Sequence, residues 1–153
     1  MILSRRLAGA ADHHNVSEPW RSWIVEQLMD FQEPPLQRVL VNGDLTKDHV
    51  LLAERDGGWF ISGLIDFGDA RIGHPYYDFA IPLLDYAYGE PQLTNLLLSA
   101  YGITEIRKAL DPLTKYCLLH EFATLDDQLK RVPTESPEHF CRLLRGGTAG
   151  RTV

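Results

Sequence analysis

The sequence feature that most constrains the fold is the dipeptide Asp56-Gly57, which stands between two short apolar runs. Val50 to Ala53 precede it, and Trp59 to Ile61 follow it. Asp-Gly between runs of this kind is typical of the two-residue turn of a β-hairpin. We therefore predict two buried strands joined by this tight turn.

The turn also sets a register for the two strands. If residue 55 pairs with residue 58, the same register places residue 49 opposite residue 64. His49 and Asp66 then emerge together at the open end of the hairpin, where diagonal neighbours lie within about 7–8 Å of each other. One ion could be bound by two side chains at that separation.

Two polar loops adjoin this open end. Asn42-Gly43-Asp44 follows the apolar run Val39 to Val41, and Ile65-Asp66-Phe67-Gly68-Asp69 follows the second strand. Each loop alone is common turn material, but the two in this order, each after a hydrophobic run, favour a catalytic site. Asp44 is the candidate proton acceptor and Asp66 the candidate metal ligand, the two carboxylates that phosphoryl transfer to a hydroxyl needs.

At these residues the sequence resembles the aminoglycoside phosphotransferase and choline kinase superfamily. The family pattern has His-Gly-Asp-Leu, an Asn five residues after that Asp, and a later Ile-Asp-Phe-Gly-Asp. The resemblance covers about residues 36–130 and continues from Ala70 to Ala80, a stretch similar to the family's Gly-x-Pro-x-Tyr-Asp-Leu-Ala. It implies that Asp44 is the catalytic base, that Asp66 binds Mg²⁺, with Mn²⁺ as an alternative ion, and that position 49 also binds the metal.

Two positions depart from the family pattern. Asn42 stands where the family usually has His, and an Asn side chain can also brace the loop by hydrogen bonding. His49 stands where the family usually has Asn, although Mg²⁺ prefers oxygen ligands and imidazole suits softer ions. We keep His49 as a metal ligand because some aminoglycoside kinases also carry His there. Asp78, just before the apolar helix start at Phe79, is expected to be a buried structural carboxylate, and Asp69 either a turn residue or a support for the metal loop.

The resemblance implies an α+β fold, mainly α, that corresponds to the C-lobe of a protein-kinase-like enzyme with the N-lobe absent. Residues 1–145 are expected to form one domain, and the glycine-rich residues 146–153 a flexible tail. Periodicity and end signals predict the helices around the hairpin. They run from the cap at Ser17 to about Phe31, Tyr76 to Tyr88, Pro91 to Tyr101, Leu113 to Lys130 and Pro137 to Leu144, with a short turn of helix at residues 105–110.

The longest predicted helix, from Leu113 to Lys130, carries a candidate acceptor site. His120 and Asp127 share one face of that helix, and Glu121 lies beside it. In the resembling family, late C-lobe helices help to build the acceptor pocket, and acidic groups there suit polycationic aminosugars. A solvated helix face is the alternative explanation for these residues.

The residues before Asn42 lack the nucleotide-binding features of such kinases. No lysine precedes Lys47, and Gly9 is the one glycine before Gly43. The lobe that covers the nucleotide phosphates needs a glycine-rich loop and a lysine. We therefore expect a truncated C-lobe that is inactive alone, and that either needs an N-lobe segment or self-associates through the exposed lobe interface.

Composition limits the partners of the chain. The formal net charge of −6 argues against nucleic acid or an anionic membrane as partner, and no apolar run is long enough to span a bilayer. The two cysteines, Cys117 and Cys141, are expected to be buried free thiols in a reducing cytoplasm. His13 and His14 are expected to belong to a flexible polar terminus.

Two hypotheses for function follow from these observations. The first is an ATP-dependent phosphotransferase that phosphorylates a hydroxyl of a small molecule such as an aminoglycoside, an activity that would confer antibiotic resistance. The second is a non-catalytic remnant that binds a small molecule or a metal ion without transferring phosphate.

Overall fold

The computed structural model describes residues 9–35 and 38–145, so the predicted tail at 146–153 lies outside the described residues. The fold is α+β and mainly helical, with two small antiparallel sheets of two strands each. The strands are β1 (Val39–Val41), β2 (Val50–Arg55), β3 (Gly58–Leu64) and β4 (Arg71–Gly73), and a short 3₁₀ turn covers Lys47–His49. The helices are α1 (Trp20–Met29), α2 (Tyr76–Asp85), α3 (Pro91–Ala100), α4 (Ile106–Leu119), α5 (Leu125–Arg131) and α6 (Pro137–Leu144), and residues 9–13 are also helical.

The hydrophobic core lies among the helices. Helix α1 presents Trp20, Ile24 and Leu28 to this core, and all three are buried. Helices α2 and α4 pack together at the centre. Fully buried apolar side chains from several helices meet there, among them Ile24, Leu83, Leu113, Tyr116 and Phe140. The core therefore depends on the helices and hardly on the hairpin.

The predicted hairpin forms, but its register shifts once. Asp56 and Gly57 adopt positive φ angles of 54° and 78°, the conformation that a tight two-residue turn needs. The pairing shifts between Leu51 and Leu52, so that Ser62 is an extra residue in β3. The predicted pairing of residue 49 with residue 64 is therefore wrong by one position: Val50 pairs with Leu64, and the amide of Ile65 donates to the carbonyl of His49.

The prediction that both hairpin strands are buried is wrong. Strands β2 and β3 pair with each other and not with the other sheet, and their side chains are mostly exposed. The exposed large apolar residues of the hairpin and the loop after it are Leu51, Leu52, Trp59, Phe60, Ile61, Leu64, Ile65 and Phe67. An apolar run predicts burial, and the described part of the chain provides no second layer to cover this one. We call these eight residues the hairpin patch.

The helical region between residues 105 and 131 also differs from the prediction. Helix α4 continues through Pro112 from Ile106 to Leu119 and then ends, where a short turn and a long helix were expected. The chain resumes as α5 at Leu125, after Thr124 caps that helix by accepting a hydrogen bond from the amide of Asp127. His120, Glu121 and Asp127 therefore do not share a helix face. Helix α2 is shorter than predicted and ends at Asp85, whereas α3 and α6 agree with the prediction within one residue.

His14 is a core residue, so the expectation of a flexible terminus at this position is wrong. Its side chain is fully buried. Nε2 lies 2.8 Å from the carbonyl oxygen of Leu118, and Nδ1 accepts a hydrogen bond of 3.2 Å from the amide of Leu125. The imidazole thus joins the end of α4 to the start of α5.

Candidate functional site

The pairing of β1 with β4 brings the two predicted loops together. Val39 lies opposite Gly73 and Val41 opposite Arg71, so the loop after β1 adjoins the turn before β4. Gly43, in the first of these loops, has a φ of +90°, and a Cβ added there would stand 2.7 Å from the carbonyl oxygen of Asp69. Only glycine combines this backbone conformation with so close an approach.

Asp78 holds the loop after β1 from the first turn of α2. Its two carboxylate oxygens accept hydrogen bonds of 2.9 Å from the amides of Asn42 and Gly43. Asp78 is partly buried, and both oxygens are engaged by backbone donors. These contacts fix the backbone just before Asp44.

Asn42 connects the two loops through its side-chain amide. It is 5% exposed, its Nδ2 donates to the carbonyl oxygen of Asp66 at 2.8 Å, and its Oδ1 accepts from the amide of Asp44 at 3.0 Å. The side-chain amide of Asn42 thus donates to one loop and accepts from the other, which ties the two loops together. A neutral histidine with one nitrogen toward each loop could make the same two contacts.

His49 stands between the two candidate functional carboxylates. Its Nδ1 donates to the carbonyl oxygen of Asp44 at 2.8 Å, which leaves the lone pair of the neutral ring on Nε2. Nε2 lies 3.6 Å from Oδ2 of Asp66, and Nδ1 lies 3.9 Å from Oδ2 of Asp44. The predicted convergence of Asp44, His49 and Asp66 is therefore present in the geometry.

Asp66 lies on a backbone with unusual dihedral angles. Its φ is +57°, which is uncommon for a residue other than glycine. Oδ1 accepts from the amide of Gly68 at 3.3 Å, and Oδ2 is the oxygen that faces His49. The carboxylate is 58% exposed, so it can be reached from solvent.

The electrostatic environment of the site shifts two ionisation equilibria. Burial raises the pKa of Asp44, and the neighbouring carboxylates of Asp69, Asp66 and Glu121 raise it further, while His49 opposes them. The hydrogen bond to the carbonyl of Asp44 raises the pKa of His49 against the effect of burial, and the carboxylates of Asp44 and Asp66 add to that rise. The site therefore carries excess negative charge that a cation would neutralise.

The donor set at this point suits part of a divalent-ion site. A hydrogen bond to a carbonyl oxygen is the usual way in which a metal-binding histidine is oriented. The separation of 3.6 Å between His49 Nε2 and Asp66 Oδ2 allows both atoms to bind one ion. Among the described residues, no group of three or more His, Cys, Asp or Glu side chains is arranged to hold a metal ion.

The remaining predicted residues lie in different places. Asp69 is exposed in the turn before β4, where its carbonyl approaches Gly43. His120 is buried and stacks on the ring of Tyr77, with the ring centroids 4.3 Å apart. Glu121 forms an ion pair with Arg71, and Asp127, on α5, contacts Lys130 and the cap residue Thr124.

Arg71 and Tyr77 are site residues that the sequence reasoning missed. Both stand within the stretch from Ala70 to Ala80 that resembles the family, but no role was assigned to either. Arg71 is a single cation among the acidic residues that follow Asp66. A lone positive charge in an acidic segment indicates a buried ion pair, and this was the sign in the sequence that could have identified Arg71. Its partner Glu121 is 50 residues away in sequence, which no local pattern could reveal.

Comparison with known proteins assigns the family. Residues 3–113 match the Phosphotransferase enzyme family, and the chain belongs to this family. The match begins and ends earlier than the resemblance at residues 36–130. No helix among residues 9–35 and 38–145 combines the length and apolar character needed to cross a membrane.

Three curated homoserine kinases of Pseudomonas aeruginosa are similar to part of this chain. The proteins from strains LESB58, PAO1 and UCBPP-PA14 are each 35% identical to this chain over 79 residues, which cover 48% of this chain and 24% of the relative. The matched segment thus spans about a quarter of the length of these kinases. No solved structure gives a significant match.

Proposed function

We propose that this chain carries the catalytic and metal-binding loops of an ATP-dependent phosphotransferase that acts on a hydroxyl of a small molecule. The observation that carries this proposal is the position of His49 between Asp44 and Asp66. Membership in the Phosphotransferase enzyme family and the similarity to homoserine kinases support it.

Asp44 is the proton acceptor in this proposal. The acceptor hydroxyl oxygen forms a bond to the γ-phosphorus of ATP, the bond from that phosphorus to the bridging oxygen breaks, and ADP leaves. The hydroxyl proton passes to the carboxylate of Asp44. Burial raises the pKa of Asp44, which makes its carboxylate a better proton acceptor than an exposed one.

Asp66 and His49 would hold the divalent ion. When bound, Mg²⁺ or Mn²⁺ would neutralise charge on the nucleotide phosphates. The imidazole of His49 suits Mn²⁺ better than Mg²⁺, because Mg²⁺ prefers oxygen ligands. Asn42 and Asp78 hold the loop backbone on which Asp44 is placed.

The described residues correspond in this proposal to the C-lobe of a kinase-like enzyme. The hairpin patch would be covered by an N-lobe segment that supplies the nucleotide-binding groups. Two facts support such a partner: the patch is apolar and exposed, and about three quarters of each homoserine kinase lies outside the matched segment. A location in the cytoplasm is consistent with Cys117 and Cys141, which are free thiols.

The acceptor in this proposal carries both a hydroxyl and an amine. Homoserine and the aminoglycosides share these groups, and the carboxylates near Asp44 favour a cationic acceptor. Glu121, His120 and Asp127 stay candidate acceptor-binding residues. The charge of Glu121 acts on Asp44, which supports Glu121 most among these three candidates.

Calorimetric titration tests the binding part of this proposal. The purified chain would be titrated with Mg²⁺, Mn²⁺, ATP, homoserine and a panel of aminoglycosides, beside Asp66→Asn and Asp44→Asn variants. We expect ion binding that Asp66→Asn abolishes and Asp44→Asn largely retains. Equal ion binding by the wild type and Asp66→Asn, or none by either, would contradict the metal site.

A transfer assay with ATP labelled at the γ-phosphate tests the catalytic part. We expect negligible transfer by the chain alone, because the phosphate-covering groups are worth several kcal/mol to the reaction, and transfer once an N-lobe is supplied. Turnover by the chain alone that Asp44→Ala abolishes would support the site but contradict the need for an N-lobe. Acceptor binding with no transfer under either condition would favour the non-catalytic alternative.

A further inference from the structure

We propose that Arg71 and Glu121 form a positioning pair that fixes the loop carrying Asp44 and His49. Neither residue needs to touch the reacting atoms for this role. The inference rests on the proposed function, because the loop that the pair holds is the one that carries the candidate proton acceptor and the candidate metal ligand.

The pair is built into a local network with Tyr77. The carboxylate of Glu121 accepts from the guanidinium of Arg71, and Arg71 Nη2 also donates to the hydroxyl oxygen of Tyr77 at 3.0 Å. The amide of Glu121 donates to the same hydroxyl at 3.3 Å. The side chains of Arg71 and Glu121 are only 25% and 32% exposed, so solvent screens the ion pair less than it would at the surface.

The segment that carries Glu121 is anchored on both sides. His120 stacks on the ring of Tyr77 with an interplanar angle of 24°. His14 contacts the carbonyl of Leu118 before the segment and the amide of Leu125 after it. Glu121 therefore extends toward Arg71 from a fixed backbone, which is what a positioning residue requires.

The guanidinium of Arg71 lies beside the loop after β1. Its Nη2 lies 3.3 Å from the position that a Cβ on Gly43 would take, beside the carbonyl of Asp69. Gly43 is followed by Asp44, and the carbonyl of Asp44 accepts the hydrogen bond that orients His49. If the guanidinium were displaced, the loop could move, and the carbonyl oxygen of Asp44 would move with it. Because this oxygen orients the ring of His49, the direction of Nε2 would change as well.

A purely electrostatic role of the pair makes the opposite prediction for one variant. If Arg71 acted only through its positive charge, its replacement by a neutral residue would strengthen the binding of a cation at Asp66 and His49. If Arg71 positions the loop, the same replacement weakens cation binding. Arg71→Lys also distinguishes the two roles, because lysine keeps the positive charge but lacks the planar set of N–H donors of the guanidinium.

Binding of Mn²⁺, measured by electron paramagnetic resonance of the free ion, separates these accounts. The variants are Arg71→Gln, Arg71→Lys and Glu121→Gln. Lys108→Gln is the control, since Lys108, on α4, forms an exposed ion pair with Glu105. We expect all three site variants to bind Mn²⁺ about tenfold more weakly, the low end of what loss of a residue supporting a metal ligand usually causes. The control is expected to bind like the wild type.

A spectroscopic measurement gives a second readout on the same proteins. Long-range ¹H–¹⁵N correlation spectra report which imidazole nitrogen of His49 carries the proton. We expect the Nδ1–H form in the wild type and a mixture of forms in Arg71→Gln, with unchanged far-ultraviolet circular dichroism. If Arg71→Gln does not fold, Arg71→Lys and Glu121→Gln provide the same comparison.

The outcomes distinguish this inference from the proposed function. No Mn²⁺ binding by the wild type, or binding unaffected by Asp66→Asn, contradicts the proposed metal site itself. Binding that Asp66→Asn abolishes but that Arg71→Gln strengthens or leaves unchanged overturns the positioning pair and leaves the proposed function standing. Weaker binding in Arg71→Gln, Arg71→Lys and Glu121→Gln together supports the pair.

Discussion

Gly43 is a residue at which the two loops of the candidate site approach each other closely. The carbonyl of Asp69 and the guanidinium of Arg71 occupy the space next to its Cα. Any side chain at position 43 would displace one of them, and a positive φ is unfavourable for residues with a Cβ. The absence of a side chain is thus a condition for the approach of the two loops.

Gly43→Ala is expected to lower stability and to abolish Mn²⁺ binding. The strained backbone and the contact of 2.7 Å with the Asp69 carbonyl oppose the native loop conformation. We expect a loss of about 2–4 kcal/mol in the free energy of unfolding, measured by urea denaturation.

Gly102→Ala is the matched control for this substitution. Gly102 has a φ of +92°, close to that of Gly43, but no atom lies within 4 Å of an added Cβ. The control should cost about 1 kcal/mol and keep Mn²⁺ binding. Equal effects of the two substitutions on stability and on ion binding would show that the approach of the loops at Gly43 is unimportant.

The central site residues could be predicted from the sequence, whereas most of the residues that hold their loops in place could not. Asp44, His49 and Asp66 follow from local patterns, because a hairpin turn and two loop motifs place them near one another. The contacts of Asp78 with Asn42 and Gly43 span more than 30 positions of sequence, as does the pair of Arg71 with Glu121. No periodicity predicts contacts of that range, since they depend on how the elements pack.

Among the structural elements, the junction of α4 and α5 depends most clearly on tertiary contacts. The periodicity of the sequence continues through residues 113–130 and predicts one helix. In the structure, His14 binds the backbone on both sides of the break, and Thr124 caps the second helix. Tertiary hydrogen bonds therefore override the local helical pattern here.

His14 is expected to make the stability of the protein depend on pH. Burial is the main cause that lowers the pKa of His14 to about 4, with a smaller contribution from nearby His13, while the hydrogen bond to Leu118 opposes both. Between pH 6.5 and 4 the unfolded chain therefore binds more protons at this position than the folded one. The free energy of unfolding should fall as pH drops through this range, by up to about 3 kcal/mol, and this contribution is complete above pH 6.5.

Urea denaturation of the wild type between pH 7.5 and 4.5 measures this dependence. His14→Gln should flatten the fall with pH, and His13→Gln, a change at the exposed neighbour, should largely retain it. His74 is also buried with a lowered pKa and contributes in the same direction, so the difference between the variants is the decisive quantity. An equal pH dependence in the wild type and His14→Gln would contradict this account of the junction.

The element boundaries were predictable where their signals are local. Helix α6 begins after Ser136, which accepts a hydrogen bond from the amide of His139, and it has the predicted bounds. The hairpin turn is also local, whereas the extra residue at Ser62 leaves no mark in the pattern of apolar residues. The prediction that β2 and β3 are buried is wrong because a strand is buried only where another sheet or helix packs on it, and the apolar run itself does not reveal whether one does.

At the scale of the whole molecule, the hairpin patch stands out among the described residues because its large apolar side chains are exposed. Trp59 is 71% exposed and Ile61 is 64% exposed, and the two share one face of β3. Exposed apolar side chains that share a face in this way usually meet another polypeptide. The proposed N-lobe segment would cover it, and a second copy of the chain could do so in the absence of that segment.

We expect the purified chain to self-associate through this patch. Sedimentation velocity over a range of protein concentrations should show association by the wild type, and the double substitution Trp59→Thr and Ile61→Thr should reduce it. Both residues are exposed, so the substitutions should change the free energy of unfolding by about 0.5 kcal/mol or less. A monomer whose sedimentation is independent of concentration would count against this expectation.

The proposed function requires that Asp44, His49 and Asp66 form the ion-binding and proton-accepting site of a phosphotransferase. Crystals of the wild-type chain soaked in Mn²⁺ test it most directly through the anomalous scattering of manganese. We expect one strong peak within bonding distance of His49 Nε2 and Asp66 Oδ2, and no such peak in Asp66→Asn crystals. A peak elsewhere, or none at saturating Mn²⁺, would contradict the proposed site.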